Sequence, residues 1–103
     1  MKYYISGKLT NGSTEDIIKN SKPFHEAEAY LKDRKGTTMV FNPANWEEDT
    51  PKPWEWYLAE DLLLIVTERP IMYMLKNWEQ SLGARLELEM AKRLSLTIEY
   101  ESI

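Results

Sequence analysis

The chain has 103 residues, 43% hydrophobic and 29% charged, which suits a single folded domain with one modest core. It has no cysteine and one histidine, His25, so disulfides, thiol catalysis and multi-histidine metal centres are excluded. A formal charge of −4 and a pI near 5.0 argue against general nucleic-acid binding, and neither a signal peptide nor a membrane-length apolar run is read, so a cytoplasmic protein is expected.

Lys2 to Ser6 predicts a first strand, ended by Gly7. Lys8 to Asn20 reads as a polar loop holding the turn signal Asn11-Gly12-Ser13, with a short helical turn around Thr14 to Lys19. Ser21-Lys22-Pro23 then opens a helix with an apolar stripe of Phe24, Ala27, Tyr30 and Leu31, closed by Lys35-Gly36. Thr37 to Phe41 predicts a second strand ending at Asn42-Pro43, and Ala44 to Lys52 a loop containing Trp46. Thr50-Pro51 caps a helix from Pro53 to about Thr67, whose buried side is Trp54, Tyr57, Leu58, Leu62 and Ile65. Ile71 to Leu75 is the third strand, Lys76 to Gln80 a loop, Ser81 to Leu94 the last helix, and Leu96 to about Tyr100 the final strand.

This alternation predicts one domain over 1–103, a small three-layer α/β/α sandwich around a mostly parallel four-stranded sheet, Rossmann-like. Ligands of such sheets sit beyond the carboxyl ends of the strands. Here those ends are Ser6-Gly7-Lys8, Phe41-Asn42-Pro43 and Leu75 to Ser81.

The last helix carries the strongest functional signal. Its exposed face is assigned to Arg85, Glu89, Lys92 and Arg93, and its core stripe to Leu82, Leu86, Met90 and Leu94. Glu87 fits neither face, and its neighbours one turn away, Gly83 and Ala91, are small. A carboxylate on such a stripe suits a cleft where a ligand approaches the backbone, although most glutamates are simply solvated. Ser81 is first of all an N-cap, yet a hydroxyl at a helix start also makes an anion site. Asp61 is either half of a solvated Glu60-Asp61 pair or a second carboxylate of the cleft. Gly7-Lys8 is a turn or a close approach of backbone and cation to a phosphate. Trp46, Trp54, Trp56 and Tyr57, like Tyr3, Tyr4, Tyr73 and Trp78, serve the core, an interface or stacking on a base.

The segments Tyr4-Ile5-Ser6-Gly7, Phe41-Asn42-Pro43, Tyr57 to Leu62 and Tyr73 to Glu87 together resemble the DUF4406 family, common in phages and prophages. That family looks like a minimal member of the nucleoside 2-deoxyribosyltransferase-like superfamily, which includes the 2′-deoxynucleoside 5′-monophosphate N-glycosidases. The resemblance implies Glu87 as nucleophile and Asp61 as the acidic residue near the base or leaving group. It places Ser81, ahead of Gly83, at a 5′-phosphate, and the loop at Gly7 around sugar and phosphate. Tyr4, Lys8 and Asn42 join Ser81, Gly83 and Gly7 as candidate substrate-binding residues. Departures fall at Lys8 to Asn11, Glu68-Arg69-Pro70 and Lys76-Asn77. The expected function is therefore an N-glycosidase or deoxyribosyltransferase acting on (deoxy)nucleotides through a covalent glycosyl-enzyme, with no metal and no cofactor. The alternatives are a nucleotide-sequestering protein and a purely structural interaction module. Expected partners are a nucleotide or nucleoside and further copies of the chain, as a homodimer or larger homo-oligomer, with no nucleic-acid polymer and no membrane. The expected location is the cytoplasm of a bacterium or phage-infected host.

Overall fold

A computed structural model describes residues 1–9, 14–36, 39–47 and 52–102. The elements are β1 (Lys2–Ser6), α1 (Thr14–Arg34), β2 (Met39–Phe41), α2 (Ala44–Glu47), α3 (Trp54–Glu68), β3 (Ile71–Met74), α4 (Leu82–Arg93) and β4 (Ile98–Tyr100), with a 3-10 turn at Trp78–Gln80. The four strands form one sheet in the order β2-β1-β3-β4, and every pairing is parallel. A central strand in such a sheet is covered on both faces and reads as a continuous apolar run. Tyr3, Tyr4 and Ile5 on β1 and Met72 and Met74 on β3 are accordingly buried.

Side chains alternate along each strand and divide the core in two. Tyr3, Ile5, Tyr73 and Leu75 pack with Phe24, Ala27 and Leu31 of α1. Tyr4, Met72 and Met74 pack on the other face with Ile65 of α3 and Ala84, Leu88 and Ala91 of α4. Burying a Leu, Ile, Phe or Met side chain contributes about 1.5–3 kcal/mol, so these two layers hold the sandwich together. Among the described residues no helix is long and apolar enough to cross a membrane.

Three expectations are corrected. The first long helix opens at Thr14 and runs continuously through Pro23 to Arg34, absorbing the helical turn expected around Thr14 to Lys19. An interior proline costs about 3 kcal/mol because it lacks the N–H and crowds the preceding turn. Burial of Ser21, Phe24, Ala27 and Leu31 on either side of it offsets that cost. Tyr30, counted with that stripe, is 42% exposed. Ala44–Glu47, expected as loop, forms the short helix α2, started by Asn42, whose carbonyl and side chain accept from Asn45 N and Ala44 N.

The third correction concerns α4. Leu82 and Leu86 are 51% and 40% exposed, Met90 and Leu94 are half-buried, and the buried residues are Ala84, Glu87, Leu88 and Ala91. The helix is rotated so that its small residues and Glu87 face the sheet. Alanines allow close approach, and polar groups on β1 satisfy the carboxylate. The outward face is as expected: Arg85, Glu89, Lys92 and Arg93 are exposed, with Arg93 on Glu89 at 3.1 Å. The turn signal at 11–13, residues 37 and 38 of the second strand, and the cap Thr50-Pro51 lie outside the described residues, as does the side chain of Trp54.

Candidate active site

Tyr4 and Ser6 are two apart on β1, so both project to the α4 side of the sheet. Both are almost wholly buried. Above them lies Glu87, 7% exposed, in the second turn of α4. The Ser6 hydroxyl donates to Glu87 Oε1 at 2.6 Å, and the Tyr4 hydroxyl donates to Glu87 Oε2 at 2.8 Å. Each carboxylate oxygen thus receives a hydroxyl from the central strand.

Asp61, in the middle of α3, is 4% exposed. Its Oδ1 accepts from Trp46 Nε1 at 3.1 Å, and its carboxyl is also hydrogen-bonded to Tyr4. Tyr4 therefore stands between the two acids. A phenol has one proton to give. With that proton directed at Glu87, the Tyr4 oxygen is left to accept one from Asp61. The four side chains form a line, from Asp61 through Tyr4 to Glu87 and on to Ser6.

Burial raises both carboxyls above the ordinary carboxylate range. For Glu87 the nearby Asp61 charge raises it further, while the hydroxyls of Ser6 and Tyr4 pull it back. For Asp61 the hydrogen bond from Trp46 pulls it back, as Tyr4 does when its proton turns to Asp61 instead of Glu87, and Glu60 adds an upward push. Two acids in one dry site do not both ionise readily, so burial and mutual repulsion favour keeping a proton on the pair.

A cleft of about 430 Å³ opens beside Asp61, walled by Phe41, Trp46, Trp56, Tyr57 and Leu64. It is largely aromatic, and Asp61 is set in its wall. Trp46 thus has two parts to play: its ring lines the cleft and its N–H fixes Asp61.

Ser81 caps α4, with Oγ accepting from Ala84 N at 3.1 Å, and the first-turn N–H groups of a helix have no acceptor within it. A Cβ added to Gly83 would meet only Ser81 Oγ at 3.7 Å. Among the described residues, nothing therefore crowds Gly83, although glycine costs about 1 kcal/mol relative to alanine inside a helix. Gly7 differs: a Cβ there would lie 2.9 Å from Leu75 Cβ and 2.9 Å from Asn77 Oδ1. It lets the ends of β1 and β3 close together, and the next residue, Lys8, donates its backbone N–H to Asn77 Oδ1 at 3.0 Å. Asn42 is fully buried on the α1 side, with its amide nitrogen 2.9 Å from Glu28 Oε1 and 3.4 Å from Phe24 O. The structure thus brings Tyr4, Asp61 and Glu87 into one hydrogen-bonded group and places Ser81 and Gly83 at the start of the helix carrying Glu87. Asn42 it keeps apart, tied to α1.

Ser6 is the member of this group that sequence reasoning did not single out. Its two-residue spacing from Tyr4 is the available signal, since any face that holds Tyr4 also holds Ser6. Among the described residues no group of three or more acidic or histidine side chains converges as metal ligands do.

A family model described as a domain of unknown function, DUF4406, matches residues 1–100, and the chain belongs to that family. No curated protein and no solved structure matches it.

Proposed function

We propose that the protein acts on the N-glycosidic bond of a (deoxy)nucleotide, with Glu87 as nucleophile and Asp61 as acid. The observation that carries this reading is the buried line Asp61–Tyr4–Glu87–Ser6 beside an aromatic cleft. Glu87 is the member whose two oxygens both receive hydroxyl donors, so it holds the negative charge. Asp61 holds the shared proton. Two hydrogen bonds meeting on one hydroxyl keep the carboxyl groups within roughly 5–6 Å, the separation associated with retaining glycosidases.

The step balances with these groups alone. A Glu87 oxygen bonds to the anomeric carbon as the carbon–nitrogen bond breaks. The bonding pair leaves with the base, which takes the Asp61 proton. Water then attacks the same carbon, gives its proton to Asp61 and releases Glu87. A second base in place of water gives transfer. The base lies in the cleft of Trp46, Trp56 and Tyr57, and the 5′-phosphate at Ser81 and the open N–H groups of the first turn of α4, with Gly83 giving room. The likeness of the Trp78 to Glu87 stretch to nucleoside 2-deoxyribosyltransferases supports these roles.

The test is to incubate the protein with deoxynucleoside monophosphates and measure free base, with Glu87→Ala as control. Nucleotide-dependent release that disappears in the variant is expected. A second reading, sequestration without turnover, draws on the burial that favours a protonated, non-nucleophilic Glu87. It predicts a bound nucleotide and no release.

The α3–α4 side also presents Leu63, Val66, Leu82 and Leu86, each between 40% and 60% exposed. The two helices pack on each other, so these apolar side chains lie on adjoining surfaces. We infer that a second copy covers them, giving the homodimer or larger assembly expected above.

A further inference from the structure

The opposite face of the sheet holds a second group of polar side chains that the glycosidic reading leaves unused. Helix α1 packs on β1 and β2, which leaves the β3–β4 half of this face less covered. Tyr73 on β3 and Glu99 on β4 are register partners, so they project to the same side. Tyr3 joins them from β1, and its hydroxyl donates to both Glu99 oxygens at 3.2 Å. Tyr30 from α1 stacks on Tyr73 at 6.2 Å between ring centroids and 30° between planes.

A cleft of about 480 Å³ opens over this group, lined among others by Glu26, Tyr30, Tyr73, Lys76 and Glu101. Tyr73 is 94% buried, being 6% exposed, yet its hydroxyl has no hydrogen bond to any described residue. No described side-chain polar atom is both sealed from solvent and unpartnered, so this hydroxyl opens into the cleft. Glu101 is fixed by the backbone N–H of Lys76 on Oε1 at 2.9 Å, which leaves Oε2 to serve a ligand. The field here is negative. Burial, then the carboxylates of Glu101 and Glu99 with the neighbouring tyrosines, push the Tyr73 phenol up to about 12. At neutral pH it remains a neutral phenol, with oxygen lone pairs to offer a donor.

We propose that this cleft binds a small organic cation through a primary ammonium or guanidinium group. The Tyr73 oxygen and Glu101 Oε2 accept its N–H donors, Tyr30 supplies an aromatic wall, and Glu26 and Glu99 supply charge. A donor-only, positively charged head suits a phenol oxygen that has no partner among the described residues and lies among three carboxylates. An anion would face those same charges, with Lys76 alone among the described lining residues to offset them. The site is separated from Glu87 by the sheet and does not depend on the reading given there.

The experiment is an amide-resonance titration of the full chain with agmatine and with spermidine, against butylurea as a neutral analogue without an ammonium or guanidinium group and potassium chloride for ionic strength. Saturable shifts confined to the surroundings of Tyr30, Tyr73 and Glu101 are expected with agmatine, spermidine or both, and none with butylurea or salt. Tyr73→Phe and Glu101→Gln each weaken binding about tenfold, the loss of one charge-assisted hydrogen bond. Both keep the packing, and Glu87→Gln leaves binding unchanged. No saturable shift with either cation at millimolar concentration, an equal response to salt or butylurea, or shifts centred on Glu87 and Asp61 would each overturn the proposal.

Discussion

The Tyr4 hydroxyl donates to Glu87 Oε2 at 2.8 Å, joining the central strand to the helix packed over it. Tyr4 also touches Asp61, so removing its oxygen both separates the acids and strips Glu87 of a donor. A hydrogen bond to a charged group contributes about 1.5–3 kcal/mol, so Tyr4→Phe is expected to lower base release roughly 10- to 100-fold. The ring stays in place, so the far-ultraviolet circular dichroism spectrum should be unchanged. Release rates with each deoxynucleoside monophosphate measure this. Wild-type rates in Tyr4→Phe would exclude a role for the line of hydrogen bonds.

Burial sets the sign of the pH dependence. Both Glu87 and Asp61 are raised above their unfolded values, so the folded protein holds protons that the unfolded chain gives up from about pH 4 upward. Stability is greatest below that value and falls as pH rises through the folded values, by up to ~1.4 kcal/mol per pH unit for each full proton of difference. Urea unfolding from pH 4.5 to 8.5 should show this decline. Glu87→Gln, with no charge to bury, should flatten it. A slope identical to wild type would remove the claim that Glu87 titrates in the folded state.

The two glycines separate stability from function. Gly83→Ala fits the space available and replaces a helical glycine, so a gain of up to about 1 kcal/mol is expected. The same methyl stands where the nucleotide is proposed to approach, so nucleotide binding should weaken. Gly7→Ala would force Leu75 Cβ and Asn77 apart and should cost roughly 1–3 kcal/mol by overpacking. Thermal melts and nucleotide titrations of the two variants give both readouts. A Gly83→Ala protein with full nucleotide affinity would place the ligand elsewhere.

Sedimentation velocity addresses the α3–α4 face. Leu63→Asp with Leu86→Asp alters only exposed positions, so the monomer should fold while the assembly dissociates. An unchanged sedimentation coefficient, at whatever stoichiometry the wild type shows, would exclude this face as the contact.

The fold was legible where pattern and chemistry agree. The strand Lys2–Ser6, the αL glycine at Gly36 with φ +63° and the Ser81 cap all appear as expected. Pro23 misled because tertiary burial around it outweighs a local helix breaker. The orientation of α4 misled for the opposite reason. Leu82, Leu86, Met90 and Leu94 form a regular apolar stripe, yet the sheet offers Tyr4 and Ser6, which favour a carboxylate opposite them. A core residue of that kind is invisible to hydrophobic periodicity. The oddity of Glu87 among Gly83 and Ala91 was the only local trace of it. The link from Trp46 to Asp61 was not legible at all, because it joins side chains of two separate helices.

The most direct test of the account is to quench the protein with acid during turnover of a deoxynucleoside monophosphate and map the adduct by peptide mass spectrometry. A deoxyribosyl 5-phosphate ester on Glu87, absent from Glu87→Gln, is the result the account predicts. Base release that proceeds with Glu87 unmodified and survives Glu87→Gln would contradict it.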